Sequence, residues 1–243
     1  MHKLISLIVI VVAAGGYSAS CTSALTAVNV ARHAMSGDHE STAHGTASRG
    51  SLEGGVMLPP VGENFEAYSQ LGVLLGRTYT HDRVARAVTE AYAKVAETHP
   101  RHRYIYAEAS WPNGGKFRPH RTHQNGLSVD FVVPVKESDG DATRLGCFVW
   151  NAWCYGVDFD ESGVNRTSGT EIDFDALGAH LVALHGTARA QRAPIKRVIL
   201  APDLRPELFA TRHGEYIRRH IKFMPKKAWV RHDDHYHVDF GLR

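Results

Sequence analysis

The segments HRTHQNGLSVDFVV, residues 120–133, and HDDHYHVDF, residues 232–240, decide how this chain is read. In both, apolar and polar residues alternate with the period of a β-strand, whose successive side chains point to opposite faces. Leu127, Val129, Phe131 and Val133 share one face and leave Asp130 on the other. Tyr236, Val238 and Phe240 likewise leave His235, His237 and Asp239 together on the opposite face. In each segment an apolar face aims a polar one. With the β-branched and aromatic runs at 104–109 and 197–201, the stretches 127–135 and 236–242 make four predicted strands.

Two helices are expected between them. One runs from a cap at Thr80 to about residue 98, with Val84, Val88, Ala91, Tyr92 and Val95 spaced by three and four along one side. The other spans about 173–190, with Phe174, Leu177, Leu181 and Leu184 on its buried stripe. Such stripes are core, not binding surface. The predicted fold class is therefore α+β: a small, largely antiparallel four-stranded sheet flanked by helices, with the polar site on one sheet face.

At 243 residues the chain has room for one catalytic domain plus short extras, given about 150 residues per domain. Positive charge at residues 1–3, the apolar run LISLIVIVVAA at 4–14 and the small residues that follow have the layout of an export signal over 1–21. The run falls short of the ~20 apolar residues of a spanning helix, so a removed signal is the reading rather than a retained anchor. Cys21 sits where a lipid-modified cysteine would follow, but Ser18 stands where lipoprotein signals usually carry a Leu-like residue. Simple cleavage and lipidation both stay open. Export would place the protein in the periplasm, either free or as a membrane-anchored lipoprotein. Of the three cysteines, Cys147 and Cys154 are close enough to bridge in an oxidising compartment, which leaves Cys21 over. Residues 22–55, rich in Ser, Thr, Ala, Gly and His, read as a flexible tether, and 56–243 as the globular domain. A net charge of +3 without a block of Lys and Arg gives no nucleic-acid footprint.

Zinc suits the histidine and aspartate set. A catalytic zinc site offers three protein ligands of His or carboxylate type and leaves a position for water. His123, Asp130 and His237 meet that requirement, with Gly126 letting the chain turn so that His123 folds back toward Asp130. His235, two residues before His237 on the same face, would stand beside the reacting water. His120, His232, Asp233 and Asp234 are open to supporting or surface roles as much as to direct catalysis.

The H-x6-D and H-x-H pair resembles the zinc signature shared by lysostaphin-type peptidases, D-alanyl-D-alanine metallopeptidases and hedgehog domains. Within that group, GGKFRPHRTHQNGLSVDFVV at 114–133 and RHDDHYHVDF at 231–240 are most similar to the penicillin-insensitive murein endopeptidases. The resemblance extends, more loosely, from about residue 51 onward. It implies Zn2+ on His123, Asp130 and His237, His235 in the position of the catalytic base, and His120 and His232 as further active-site histidines. It also implies hydrolysis of the D-alanyl to meso-diaminopimelyl amide linking the peptide stems of peptidoglycan. Ser128 departs from the family's pattern, which usually has Asp there, and so does Asp239, where a basic residue is common.

The nearest alternative is a metallo-carboxypeptidase trimming terminal D-alanine with the same metal. A different class is a zinc-stabilised wall-binding module without hydrolysis, against which the retained His235 argues. A metal-dependent nuclease or phosphoesterase is disfavoured by the want of a basic stripe. Arg118, Arg121 and Arg231 flank the motifs as candidates to hold substrate carboxylates.

Overall fold

In the computed structural model, residues 19–37, 39–148, 153–225 and 228–243 are described. The segment read as an export signal lies outside them up to residue 18, as do the side chains of 19–21, including that of Cys21. No helix of the described residues is long and apolar enough to cross a membrane.

The centre is a sheet of β1 (Phe65–Ala67), β2 (Tyr104–Tyr106), β3 (Ser128–Val132), β4 (Ile195–Ile199) and β5 (His235–Phe240), in the order β4-β5-β3-β2-β1. All four expected strands are present, although shorter or shifted by one or two residues. The sheet has five strands rather than four. The added one, β1, pairs parallel to β2 at the edge, while the other pairings are antiparallel. At three residues, β1 is too short to show a period-two pattern.

One face of the sheet carries the core. Phe131 and Tyr236 stack across β3 and β5 with ring centroids 5.4 Å apart. Helices α2 (Asp82–Thr98) and α3 (Phe174–Ala190) pack on each other and on this face, burying Val84, Val88, Tyr92, Leu177, Leu181 and Leu184. The cap of α2 is His81, whose Nδ1 accepts from Arg83 N, rather than Thr80. Thr80 is engaged elsewhere: its hydroxyl donates to the Gly126 carbonyl at 2.7 Å and so ties the start of α2 to the loop before β3. Asp173 caps α3 by accepting from Ala176 N. Inside the core, His180 accepts from the Tyr236 hydroxyl through Nδ1 at 2.5 Å, and burial pushes its pKa down to about 3, so it is a neutral structural histidine.

The stretch read as a tether carries regular structure. Helix α1 (Ala19–Ser36) buries Leu25 and Asn29, and the Asn29 amide donates to the Gln70 carbonyl at 2.8 Å. Thr42–Thr46 and Arg49–Glu53 form an antiparallel hairpin. Composition hid both: the hairpin is held by backbone pairing with Leu52 as its buried anchor, and α1 is fastened by a polar contact as well as an apolar one. Neither leaves a long apolar stripe.

Candidate metal centre

Antiparallel register sets His237 of β5 directly opposite Asp130 of β3, and Asp239 opposite Ser128. Their shared face is not solvated: every residue of both strands is buried, because the loops bearing His120, His123 and Tyr155 cover it. His123 is delivered by a turn in which both it and Gly126 have positive φ, 66° and 71°. At Gly126 a Cβ would sit 2.9 Å from His81 N, so glycine is required there by conformation and by space. A histidine in the left-handed region costs about 1–3 kcal/mol, a strain that recurs where a site needs a particular geometry.

The donor atoms converge. His123 Nδ1 lies 2.6 Å from the Ala109 carbonyl, which can only accept, so that nitrogen carries the proton and Nε2 presents a lone pair. Nε2 is buried, has no hydrogen-bond partner among the described residues, and sits 3.3 Å from Asp130 Oδ1. His237 Nδ1 reaches the same oxygen at 2.8 Å. His120 approaches the other carboxylate oxygen, its Nδ1 3.7 Å from Asp130 Oδ2, while its Nε2–H donates to Glu108 Oε2 at 2.6 Å. His120, His123 and Asp130 each offer a ligand atom within 4.8 Å of the others, a group able to hold a metal ion. An orphaned imidazole nitrogen beside a buried carboxylate fits such an ion, since an unpaired buried polar atom is otherwise costly.

The electrostatics agree. Burial raises the Asp130 carboxyl, but His123 and His237 facing it outweigh burial and hold it well below the usual carboxylate range. Burial likewise disfavours a charged His237, yet Asp239 and Asp130 on its two sides lift it to about 10.

His235 donates from Nδ1 to Asp234 Oδ1 at 2.5 Å, leaving Nε2 with the free lone pair. His232 donates from Nδ1 to the Val230 carbonyl at 2.8 Å, and its ring centroid lies 4.6 Å from that of His235. Burial, reinforced by His235, pushes His232 down to about 4, so it is neutral at neutral pH. Asp233 instead caps a loop, accepting from Phe159 N and Arg231. Six sequence-derived residues, His120, His123, Asp130, His232, His235 and His237, thus gather in one place.

Two residues not anticipated belong with them. Glu108 accepts from His120, Arg77 and Tyr68; burial raises its pKa, but His120 and Arg77 bring it to about 2. It was visible as the one charged residue in the apolar run 104–109. The Tyr155 hydroxyl donates to Asp130 Oδ2 at 2.9 Å, next to the Cys147–Cys154 disulfide that the cysteine spacing predicts. No local pattern marks it.

His120, His232, His235 and His237 line a cleft of about 870 Å³, together with Leu71, Leu75 and the 62 % exposed Trp229. Of the three flanking arginines, Arg231 is engaged with Asp203, Asp233 and the Phe159 carbonyl. Arg121 lies over the Trp229 ring, 5.1 Å from its centroid. Among the described residues neither Arg118 nor Arg121 has a carboxylate partner at its guanidinium, and both border the cleft.

No curated protein matches this chain. The family model described as penicillin-insensitive murein endopeptidase matches residues 43–241, from the hairpin to the end of β5. The chain belongs to that family and is a peptidase of peptidoglycan.

Proposed function

We propose that this murein endopeptidase is a zinc enzyme that hydrolyses the D-alanyl to meso-diaminopimelyl amide joining neighbouring peptide stems, with His123, Asp130 and His237 as metal ligands. The observation that carries the ligand set is convergence: His123 Nε2 and His237 Nδ1 approach one oxygen of Asp130 from two directions. His120 addresses the other oxygen and is held by Glu108, which suits it to hydrogen-bond the reacting groups. When bound, zinc lowers the pKa of a water to ~7 and polarises the scissile carbonyl.

The chain's own residues then divide the work. His235, its Nδ1–H fixed on Asp234, takes a proton from the attacking water at Nε2 and returns it to the leaving amine. His232, neutral and with its Nδ1–H spent on Val230, offers Nε2 as an acceptor at the mouth of the cleft. Arg118 and Arg121 hold a stem-peptide carboxylate, and Trp229 gives the stem an apolar surface to lie on. No serine or cysteine nucleophile is needed, which would account for the penicillin-insensitive description of the family. Export through residues 1–21 brings the enzyme to its polymer.

The test is incubation of the zinc-loaded protein with isolated peptidoglycan and mass spectrometry of the fragments. Conversion of cross-linked dimers to monomers is expected. Release of terminal D-alanine alone would make the protein a carboxypeptidase, and no release at all would make it a binding module.

A further inference from the structure

Ser128 and Asp239 face each other across β3 and β5. With Arg197 of β4 they form a cross-strand row, Arg197–Asp239–Ser128, next to the row Ile199–His237–Asp130. Asp239 is 6 % exposed, and its carboxylate accepts from all three strands of this row. Oδ1 takes the Ser128 hydroxyl at 2.7 Å and His237 Nε2–H at 2.8 Å. Oδ2 takes Arg197 through Nε at 3.0 Å and through Nη2.

We propose that Asp239 is a positioning residue that locks the His237 ring so that Nδ1 is the nitrogen offered to the metal. The inference rests on His237 being a ligand. An imidazole can present either nitrogen, and the hydrogen bond made by one decides which the other offers. Flipping the ring would break the Nε2–H bond to Asp239. Ser128 and Arg197 hold the carboxylate in turn, and by occupying both oxygens they keep Asp239 from swinging round as a competing ligand. Ser128 and Asp239 are thus one device, a donor placed opposite an acceptor. In the same way Ala109 fixes His123, through its carbonyl and with the opposite nitrogen left free.

The experiment is zinc affinity of the full chain by competition with a chromogenic chelator, with no substrate present. Asp239→Ala is expected to weaken zinc ~10- to 100-fold, the usual effect of losing such a partner. Asp239→Asn, which keeps an acceptor oxygen, should recover most of the loss. Ser128→Ala should weaken zinc severalfold in the wild-type background and not at all beside Asp239→Ala. Nitrogen-15 spectra of zinc-loaded wild type should show His237 protonated at Nε2. Asp239→Ala with zinc affinity within twofold of wild type, or His237 protonated at Nδ1, overturns the proposal. If Asp239→Ala does not fold, as judged by circular dichroism, Asp239→Asn and Ser128→Ala carry the decision. His237→Ala run in parallel separates the two readings. If it keeps full zinc affinity, the ligand assignment fails; if it loses zinc while Asp239→Ala keeps it, only the positioning role fails.

Discussion

Asp130 and His237 stand in register on neighbouring strands, buried, with their side-chain polar atoms matched to protein partners. Arg118, Arg121 and Trp229 border the same cleft from segments outside helices and strands, all three exposed, and among the described residues neither arginine has a carboxylate partner at its guanidinium. The strand-borne part of the chemical centre is therefore held by backbone pairing, whose geometry a single substitution barely moves, while His123 joins it from a turn. The mouth is held by little. A site of this kind fixes its reaction in the sheet and leaves recognition to segments that can vary without disturbing it.

The sharpest way to break this contrast is to remove a ligand. His123→Ala, Asp130→Ala and His237→Ala should each cost more zinc affinity than the ~100-fold ceiling for a supporting residue, and cross-link cleavage should fall to background while the fold persists. Full zinc content by metal analysis in any of the three would remove that residue from the set. His120→Ala is the control: it should keep zinc, and loss of metal there would move the third ligand from β5 to the loop.

Next in size is His235, strand-borne but outside the proposed ligand set. His235→Ala should retain zinc and lose ~100- to 10,000-fold in turnover of dimeric muropeptides, the usual range for one proton-transfer group. A variant active at the wild-type rate would falsify its role as base.

Tyr155 tests the boundary between the regions, since a loop delivers it to Asp130, a proposed ligand on the sheet. Tyr155→Phe removes the hydrogen bond to Asp130 Oδ2, worth about 0.5–1.5 kcal/mol, so zinc affinity or turnover should drop by up to about tenfold. If neither moves, the hydroxyl only fills space.

The same division explains what could be read from sequence. Asp130, His235 and His237 were legible because strand period ties each to apolar neighbours whose burial fixes its face, and Gly126 signalled the turn that returns His123. Glu108 was within reach, as a carboxylate that an apolar run would not tolerate without partners. Tyr155 was not, because only the loop closed by Cys147–Cys154 brings it to Asp130. Strand β1 is too short to carry a period, and α1 has little apolar face to announce it. What the backbone repeats is written in sequence; what a loop carries across space is not.

The smallest effect should come from the mouth. Arg118 and Arg121 are exposed, and an exposed ion pair is worth up to about 1 kcal/mol, or roughly fivefold in affinity for each arginine. Arg118→Ala and Arg121→Ala should therefore raise KM for cross-linked muropeptides by about that factor and leave kcat and zinc content unchanged. Because the attraction is between solvated charges, raising ionic strength from about 0.05 to 0.5 M should raise the wild-type KM toward that of the double variant, whose own KM should hardly move. Arg121→Ala also frees the face of Trp229, so part of its effect could come from the aromatic surface instead. A substrate whose stem carboxylates are amidated separates the two, since it has lost the charge and kept the apolar stem. Wild type and double variant should then bind alike. If the variant still binds the amidated stem more weakly, the arginines shape the cleft wall and the carboxylate is recognised elsewhere.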